Sequence, residues 1–429
     1  MAVKRPFLWL VISIMSIVLV VLAINVALFN ALPKPIRLVH GLELSYNVQD
    51  PIFERSMGAL LQNPVQPGNS VEIIRNGENI YPAMIAAIEQ AEHSVSFETY
   101  EFWGEESAGE ISQALADAAR RGVQVHALID FMGSTQASSA KFETLEQAGV
   151  HVIRYRSPSW YQLSRINHRT HRKLLITDGS TGFTGGANVA DNWLPGPDRT
   201  PYRDNHFRIE GPVVANMQAA FAEIWMNASG ILLEGPEYFP ELKATGDTAL
   251  QMVKSSPREG RHRVRYMLLY ALAAAEESFT ASTAYFYPDA AFLEAMRLAA
   301  ERGVRIRILL PGDTIDQGYL RHASVNRWRP MLEAGVELHE YQTSMYHSKL
   351  VSVDDQWATF GSANLDNRSF RINDEGNIAV YSPDFSRQIR ELIEEDIEYA
   401  ERYTLEDWQN RPWHKRIIGW VSSVLGAHF

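Results

Sequence analysis

The sequence predicts an α/β protein of two tandem, pseudo-symmetric domains, each with a mixed central sheet flanked by helices, following one N-terminal transmembrane helix. Three observations predict this fold class: an apolar N-terminal run, a long internal repeat, and alternating helical and β-branched segments within each repeat. The expected segments are a transmembrane anchor at residues 7–29, a neck at 30–70, a first domain at 71–235, a second domain at 250–405 and an amphipathic tail at 406–429.

The apolar run from Phe7 to Phe29 is the predicted anchor. At about 1.5 Å per residue it is long enough to cross a bilayer core as a helix. A cleaved signal peptide is the alternative, which the length of the run and the lack of a small-residue cleavage site disfavour. Lys4 and Arg5 favour a cytoplasmic N-terminus, although basic residues on the other flank weaken the asymmetry. We therefore expect the bulk of the chain to lie outside the cytoplasm.

Composition excludes some kinds of chemistry. The chain has no cysteine, so disulfides, thiolate metal ligands and cysteine nucleophiles are excluded. Its 40 basic and 51 acidic residues give a net charge of −11. Because nucleic-acid binders present a basic surface, we expect no nucleic-acid partner, although a local basic patch stays possible.

Four pairs of segments recur in the same order in the two halves of the chain. ARRG–VQVHALID matches AERG–VRIRILLP, and QAGVHVIRY matches EAGVELHEY. HRKLLITDG then matches HSKLVSVDD, and TGGANVADN matches FGSANLDNR. Chance helix endings explain one such match but not four in order. The sequence therefore predicts a duplicated domain, with a helix leading through glycine into a buried strand in each copy.

Each copy carries the pattern H-x-K-x-x-x-x-D, and these six residues are the predicted catalytic set: His171, Lys173, Asp178, His347, Lys349 and Asp354. In an extended strand, residues two apart point to the same face, so each histidine should project with its lysine. A single His-x-Lys pair on a strand is usually a pair of surface side chains. Two copies with identical spacing argue against that interpretation. The two aspartates have an alternative and favoured role, which is to fix the turn after the strand.

A small-residue turn and an asparagine follow each motif, and these are the predicted substrate-binding residues: Gly186, Asn188, Ser362 and Asn364. Small residues let the backbone and the asparagine amide approach an anion closely. Downstream of the motifs, Asp204 and Glu375 are the predicted carboxylates that orient the two imidazoles. The alternative is that both are surface acids at the start of a strand.

Paired histidines and lysines suit phosphodiester chemistry. A neutral imidazole attacks phosphorus, a protonated imidazole donates to the leaving alkoxide, and lysine and amide groups hold the other oxygens. A metal site is the alternative. Lysines in the cluster would repel a cation, and no further ligand recurs at metal spacing, so we expect no metal.

These motifs resemble the phospholipase D superfamily, and within it the bacterial cardiolipin synthases. The resemblance runs from about Ser70 to the C-terminus and includes NHRTHRKLLITDG, RDNHFRIEGPVV and GSANLDNRSFRINDEGN. It implies transfer of a phosphatidyl group to the glycerol hydroxyl of phosphatidylglycerol, without cofactor or metal. It also implies His171 as nucleophile, His347 as general acid and then base, and both lysines and both asparagines as the phosphate clamp. A single span departs from the usual pattern of two spans or none.

Two further features favour a lipid substrate. The C-terminal KRIIGWVSSVLGAHF places Ile417, Trp420 and Val421 on one face of a helix beside basic residues, which is typical of an interfacial helix or of a helix packed on its own core. A basic cluster, Arg154–Arg172, precedes the first motif. We expect a bacterial inner-membrane enzyme acting on phosphatidylglycerol and possibly a second phospholipid. A hydrolase releasing phosphatidic acid, and an envelope nuclease, remain open.

Overall fold

The structure is a computed structural model that describes residues 4–31, 44–157, 167–257 and 260–424. The side chains of residues 4–8, 24–31 and 424 lie outside the described part. The first half contains strands β1 (Gln66–Arg75), β2 (Ser94–Thr99), β3 (Gln124–Asp130), β4 (His151–Tyr155), β5 (Leu174–Thr177), β6 (Thr181–Gly185) and β7 (Asn205–Glu210). Its helices are α1 (Lys4–Ala31), α2 (Pro51–Leu61), α3 (Gly77–Gln90), α4 (Ser107–Arg120), α5 (Ser139–Gln147) and α6 (Val214–Ser229).

The second half repeats this order of elements. Its strands are β8 (Thr248–Ser255), β9 (Ser278–Ser282), β10 (Phe286–Tyr287), β11 (Arg305–Pro311), β12 (Glu337–Tyr341), β13 (Leu350–Val353), β14 (Trp357–Gly361), β15 (Leu365–Asp366), β16 (Glu375–Tyr381) and β17 (Ala400–Tyr403). Its helices are α7 (Arg263–Ala274), α8 (Ala290–Glu301), α9 (Gly318–Val325), α10 (Arg329–Glu333), α11 (Asn367–Arg371), α12 (Pro383–Ile397), α13 (Leu405–Gln409) and α14 (Trp413–Val424).

The central strands of both halves form one continuous mixed sheet rather than two separate ones. Within the described residues its order is β17-β12-β11-β9-β13-β14-β16-β8-β1-β7-β6-β5-β2-β3-β4. The order is symmetric about the antiparallel β1–β8 pair, so that each strand from β1 to β7 has a counterpart in the other half. In each half the outer strands β2-β3-β4 and β9-β11-β12 are parallel and the inner ones are antiparallel.

Helices cover both faces of each half, as an α/β layer arrangement requires. Helices α3, α4 and α5 cover one face of the first half, and α7, α8 and α10 cover the corresponding face of the second. A third core is shared, because α6 and α12 both contribute to it. Within it Phe207 on β7 stacks on Phe360 on β14, with ring centroids 3.7 Å apart. The two halves therefore pack against each other as one body.

The predicted neck at residues 30–70 is corrected where the structure describes it. Helix α2 starts at Pro51, its Asp50 cap accepts from the Ile52 amide, and its Phe53 side chain is fully buried in the core of the second half. Strand β1 then begins before the expected start of the first domain. Because α2 buries an apolar face, these residues belong to the folded body. Residues 32–43 lie outside the described part.

The predicted anchor at residues 7–29 coincides with α1, whose described side chains are those of residues 9–23. Among the described residues, no helix is long and apolar enough to cross a membrane.

The predicted tail contains α14, which packs on α9 through its small residues. A Cβ on Gly419 would lie 2.8 Å from the carbonyl oxygen of His322, so only glycine permits this approach. The opposite face of α14 is apolar and exposed: Trp413 is 72% exposed and Trp420 is 66% exposed. The helix therefore does not bury its apolar face in the core of the protein.

Candidate active site

Each motif histidine is fixed by backbone hydrogen bonds to the other half of the chain. The His171 amide donates to the carbonyl of Asp374 (2.8 Å), and the His347 amide donates to the carbonyl of Arg203 (2.8 Å). The motif therefore lies just before strands β5 and β13 rather than within them. This reciprocal exchange places one histidine from each half at the same cavity.

The two histidines are oriented by carboxylates in a crossed arrangement. His171 Nδ1 lies 3.0 Å from both carboxylate oxygens of Glu375, and His347 Nδ1 lies 2.9 Å from Asp204 Oδ2. The structure thus places both predicted carboxylates on the histidines, each from the half opposite to its ring. Because Nδ1 is engaged in each ring, Nε2 is the reactive atom.

Two further donors, which the sequence reasoning missed, hold these carboxylates. Trp193 Nε1 donates to Asp204 (2.8 Å), and Ser369 Oγ donates to Glu375 (2.8 Å). Both residues stand five positions after the motif asparagine of their own half. This equal spacing within the repeat is the signal that could have identified them.

Gly186 and Ser362 do not line the cavity, so their predicted contact with substrate is corrected. Ser362 Oγ donates to Glu375, and a Cβ on Gly186 would lie 2.1 Å from an Asp204 oxygen. The two residues occupy equivalent places against the orienting carboxylates. Both residues therefore contact the orienting carboxylates rather than the cavity.

The predicted phosphate clamp lies only partly on the cavity wall, because neither lysine lines the cavity. Asn188 and Asn364 line it beside the two histidines, and both are almost completely buried. Lys173 Nζ donates to the carbonyl of His171 (2.8 Å), and Lys349 Nζ lies within 3.2 Å of both ring nitrogens of His347. Burial lowers the pKa of Lys173 to about 8 and that of Lys349 to about 7, and a bound phosphate anion would favour the charged form of both.

Burial sets the protonation of the site. Burial and the two lysines lower the pKa of His171, and burial and Lys349 lower the pKa of His347 to about 3. Both rings are therefore neutral before an anion binds. Burial raises the pKa of Glu375 to about 7. The pKa of Asp204 falls to about 2 because its hydrogen bond from His347 and the nearby cations outweigh its burial.

The aspartates that end each motif are structural, which corrects their inclusion in the catalytic set. Asp178 accepts three backbone amides, from Glu92 (3.0 Å), His93 (2.7 Å) and Ser94 (2.9 Å). Asp354 does the same for residues 276–278. Both adopt a left-handed turn at φ 52°. Each carboxylate therefore ties the turn after the motif strand to the start of a neighbouring strand.

The cavity has a volume of about 250 Å³ and brings together residues of both halves. Of the basic cluster expected beside the first motif, Arg169 lines it. Arg172 is instead buried and donates to the carbonyl of Ala220 (3.0 Å), while Arg156 pairs with Asp374 (3.0 Å). Across the described ranges, no cluster of His, Asp and Glu has the arrangement of a metal site.

Comparisons with known proteins agree with this geometry. The family described as cardiolipin synthase, PLD-like domain, matches residues 84–225 and 268–397, more than half of the chain. Cardiolipin synthase 1 of Bacillus anthracis is 31% identical over 398 residues, covering 89% of this chain and 78% of that protein. Cardiolipin synthase A of Pseudomonas putida KT2440 is 34% identical over 358 residues, covering 83% and 74%.

A solved structure shows the same fold. Phosphatidylserine synthase of Haemophilus influenzae superposes with a TM-score of 0.66 at 14% identity, covering 88% of this chain and 99% of that one. A duplicated α/β chain with two H-x-K motifs at one cavity is a protein of the phospholipase D superfamily. Within that superfamily, the chain belongs to the cardiolipin synthase family.

Proposed function

We propose that this protein is a phosphatidyltransferase that makes cardiolipin from phosphatidylglycerol. The observation that carries the proposal is the crossed site: two buried imidazoles, each oriented through Nδ1, line one cavity with two asparagine amides, and a buried lysine contacts each histidine. Its membership of the cardiolipin synthase family supports the choice of lipid and acceptor.

In the first step His171 Nε2 attacks the phosphorus of one phospholipid. A P–N bond forms, the P–O bond to the leaving alcohol breaks, and His347 gives its proton to that alcohol. In the second step His347 takes the proton of an acceptor glycerol hydroxyl, whose oxygen attacks phosphorus and breaks the P–N bond. Lys173 and Lys349 offset charge on the phosphoryl oxygens throughout.

The two carboxylates support this division of roles. Asp204 is held ionised, so its charge and that of a bound phosphate both favour a protonated His347 and oppose the effect of burial. Glu375 has a raised pKa and is therefore ionised to a smaller extent. It favours a proton on His171 less strongly than Asp204 favours one on His347. His171 is thereby suited to be the neutral nucleophile, and His347 to be the acid.

Purified protein in phosphatidylglycerol vesicles is expected to form cardiolipin and glycerol in equal amounts, measured by lipid mass spectrometry and enzymatic glycerol assay. Added chelator should leave the yield unchanged, because lysines rather than a metal hold the phosphate in this mechanism. Phosphatidic acid formed without cardiolipin would contradict the synthase proposal and support a hydrolase. Cleavage of single-stranded DNA at a comparable rate would instead support the nuclease alternative.

We also propose that the protein is a single-pass protein of the bacterial inner membrane, anchored by the apolar run at residues 7–29, with the folded body outside the cytoplasm. A second contact with the bilayer is proposed through α14. Its exposed Trp413, Ile417 and Trp420 lie on the face opposite to α9. Arg411 and Lys415 line an adjacent cavity of about 260 Å³, which suits an anionic lipid surface.

Replacing Ile417 and Trp420 together by asparagine is expected to lower turnover in phosphatidylglycerol vesicles by about 10-fold or more, since burial of a large apolar side chain contributes about 1.5–3 kcal/mol. Turnover of short-chain, monomeric phosphatidylglycerol should change far less. Tyr399→Ser removes another exposed large side chain, outside α14, and serves as the matched control. An equal loss on both substrates would contradict a bilayer contact at α14.

A further inference from the structure

Two arginines break the symmetry of the duplicated site. Arg169 stands two residues before His171, and the equivalent place before His347 is held by Met345. The backbone confirms this equivalence, because the Asp374 amide donates to the Arg169 carbonyl (2.9 Å) as the Arg203 amide donates to that of Met345 (2.9 Å). One side of the pseudo-twofold site therefore carries a cation where the other carries a buried thioether.

The second asymmetric arginine is Arg368. It stands four residues after Asn364, and the equivalent place after Asn188 is held by Asn192. Both Arg368 and Arg169 line the cavity. The lysine and asparagine pairs follow the repeat, as one shared phosphate requires, whereas the arginine pair occurs on one side only.

Both guanidinium groups are held in place from the protein side. Arg368 donates to the side-chain and backbone oxygens of Asn167 (2.9 Å each), and Arg169 donates to the hydroxyl of Tyr100. The Nε of Arg169 is buried and has no hydrogen-bond partner among the described residues. A buried donor of this kind costs free energy unless a ligand satisfies it.

The two arginines lie close to each other as well as to acidic groups, Asp130 near Arg169 and Asp366 near Arg368. Burial and the neighbouring Arg169 lower the pKa of Arg368 to about 10, although Asp366 acts in the opposite direction. At another part of the cavity wall the Tyr285 hydroxyl donates to Asp316 (2.8 Å), so that part presents acceptors rather than a cation pair. Glu101 and Asp366 also line the cavity, and an anion beside the two arginines would accept hydrogen bonds from both guanidinium groups.

We propose that Arg169 and Arg368 bind a second phosphodiester, that of the acceptor phospholipid, beside the phosphate that reacts. The inference rests on the proposed synthase function. The acceptor carries a phosphate one glycerol away from the hydroxyl that attacks, so two phosphates occupy the cavity in the second step. Water and simple alcohols carry no such group. The arginine pair thus selects a phospholipid acceptor over water. The two arginines have no counterparts in the repeat because only one acceptor binds.

The test is a competition between two acceptors for one intermediate. Phosphatidylglycerol vesicles are incubated with ethanol, and the ratio of cardiolipin to phosphatidylethanol is measured by mass spectrometry. Because both products come from the same phosphatidyl-enzyme, the ratio reports acceptor choice alone. Arg169→Gln and Arg368→Gln are each expected to lower this ratio by about 10–100-fold, the effect of losing a charge-assisted hydrogen-bond pair. Arg169→Lys should restore part of it.

The matched control is Arg120→Gln, at an exposed position on α4, which should leave the ratio unchanged. An unchanged ratio in both cavity variants, or a parallel fall of both products with no change in ratio, would overturn the proposal. A variant that does not fold is recognised by its melting curve, and the other glutamine variant then carries the test. Failure of the synthase proposal is seen separately, as absence of cardiolipin from the unsubstituted protein.

Discussion

Replacing His171 by glutamine is expected to lower phosphatidyl transfer by at least about 10⁴-fold, because the variant loses its nucleophile. Among the described residues that line the cavity, His347 is the other histidine, and it serves as the acid. Replacing His347 by glutamine should lower transfer by about 10²–10⁴-fold, the usual contribution of a general acid. Glycerol release from phosphatidylglycerol measures both. His93→Gln, an exposed histidine outside the site, is the control and should retain activity.

A substrate whose leaving group needs no proton distinguishes the nucleophile from the general acid. A phosphatidyl ester of p-nitrophenol needs no proton on its leaving oxygen, so His347→Gln should still release a burst of p-nitrophenol, measured by absorbance. His171→Gln should release none. A burst in the His171 variant that is absent from the His347 variant would reverse the assignment. Near-native turnover of phosphatidylglycerol in either variant would contradict the two-histidine mechanism itself.

Replacing either orienting carboxylate by its amide is expected to lower the turnover number by about 10²–10⁴-fold with little change in stability. Asn at 204 would accept from Trp193 but hold His347 in a poorer orientation, and without the negative charge that favours its proton. Glu375→Gln should act on His171 in the same way. Because these are positioning residues, the alkaline limb of the pH–rate profile, where His347 loses its proton, should also move toward lower pH in Asp204→Asn.

Double substitutions test which carboxylate orients which histidine. In a His347→Gln background, Glu375→Gln should slow the p-nitrophenol burst further, because it disorients His171. Asp204→Asn should not, because its partner ring is already gone. The reverse pattern would mean that each carboxylate serves the histidine of its own half, and it would contradict the observed geometry.

The sequence was sufficient for the parts of the site that depend on local spacing. The two H-x-K pairs and both asparagines were predicted because each lies at a repeated offset in a duplicated chain, and the two carboxylates were predicted as acids downstream of each motif, although their offsets differ. The crossing was not predicted, because it depends on backbone bonds between halves, such as that from the His171 amide to Asp374. Long-range pairings of this kind leave no trace in a single sequence.

Other differences had signals that were present but overlooked. Asp50 followed by Pro51 is a helix start, and Phe53, Met57 and Leu61 recur at a helical spacing, so α2 could have been predicted within the neck. The roles of Gly186 and Ser362 had no such signal. Whether a small residue faces a substrate or a carboxylate depends on the direction of one Cβ, which only the folded structure supplies.

Trapping the covalent intermediate tests most directly the claim that one histidine attacks while the histidine of the other half acts as acid. The His347→Gln variant is mixed with the p-nitrophenyl phosphatidyl ester, quenched in alkali during the burst and digested for mass spectrometry. The mechanism predicts a phosphatidyl adduct on the peptide that contains His171, and no adduct in the His171→Gln variant treated identically. An adduct on His347 in the His171 variant, or none in the His347 variant, would contradict it.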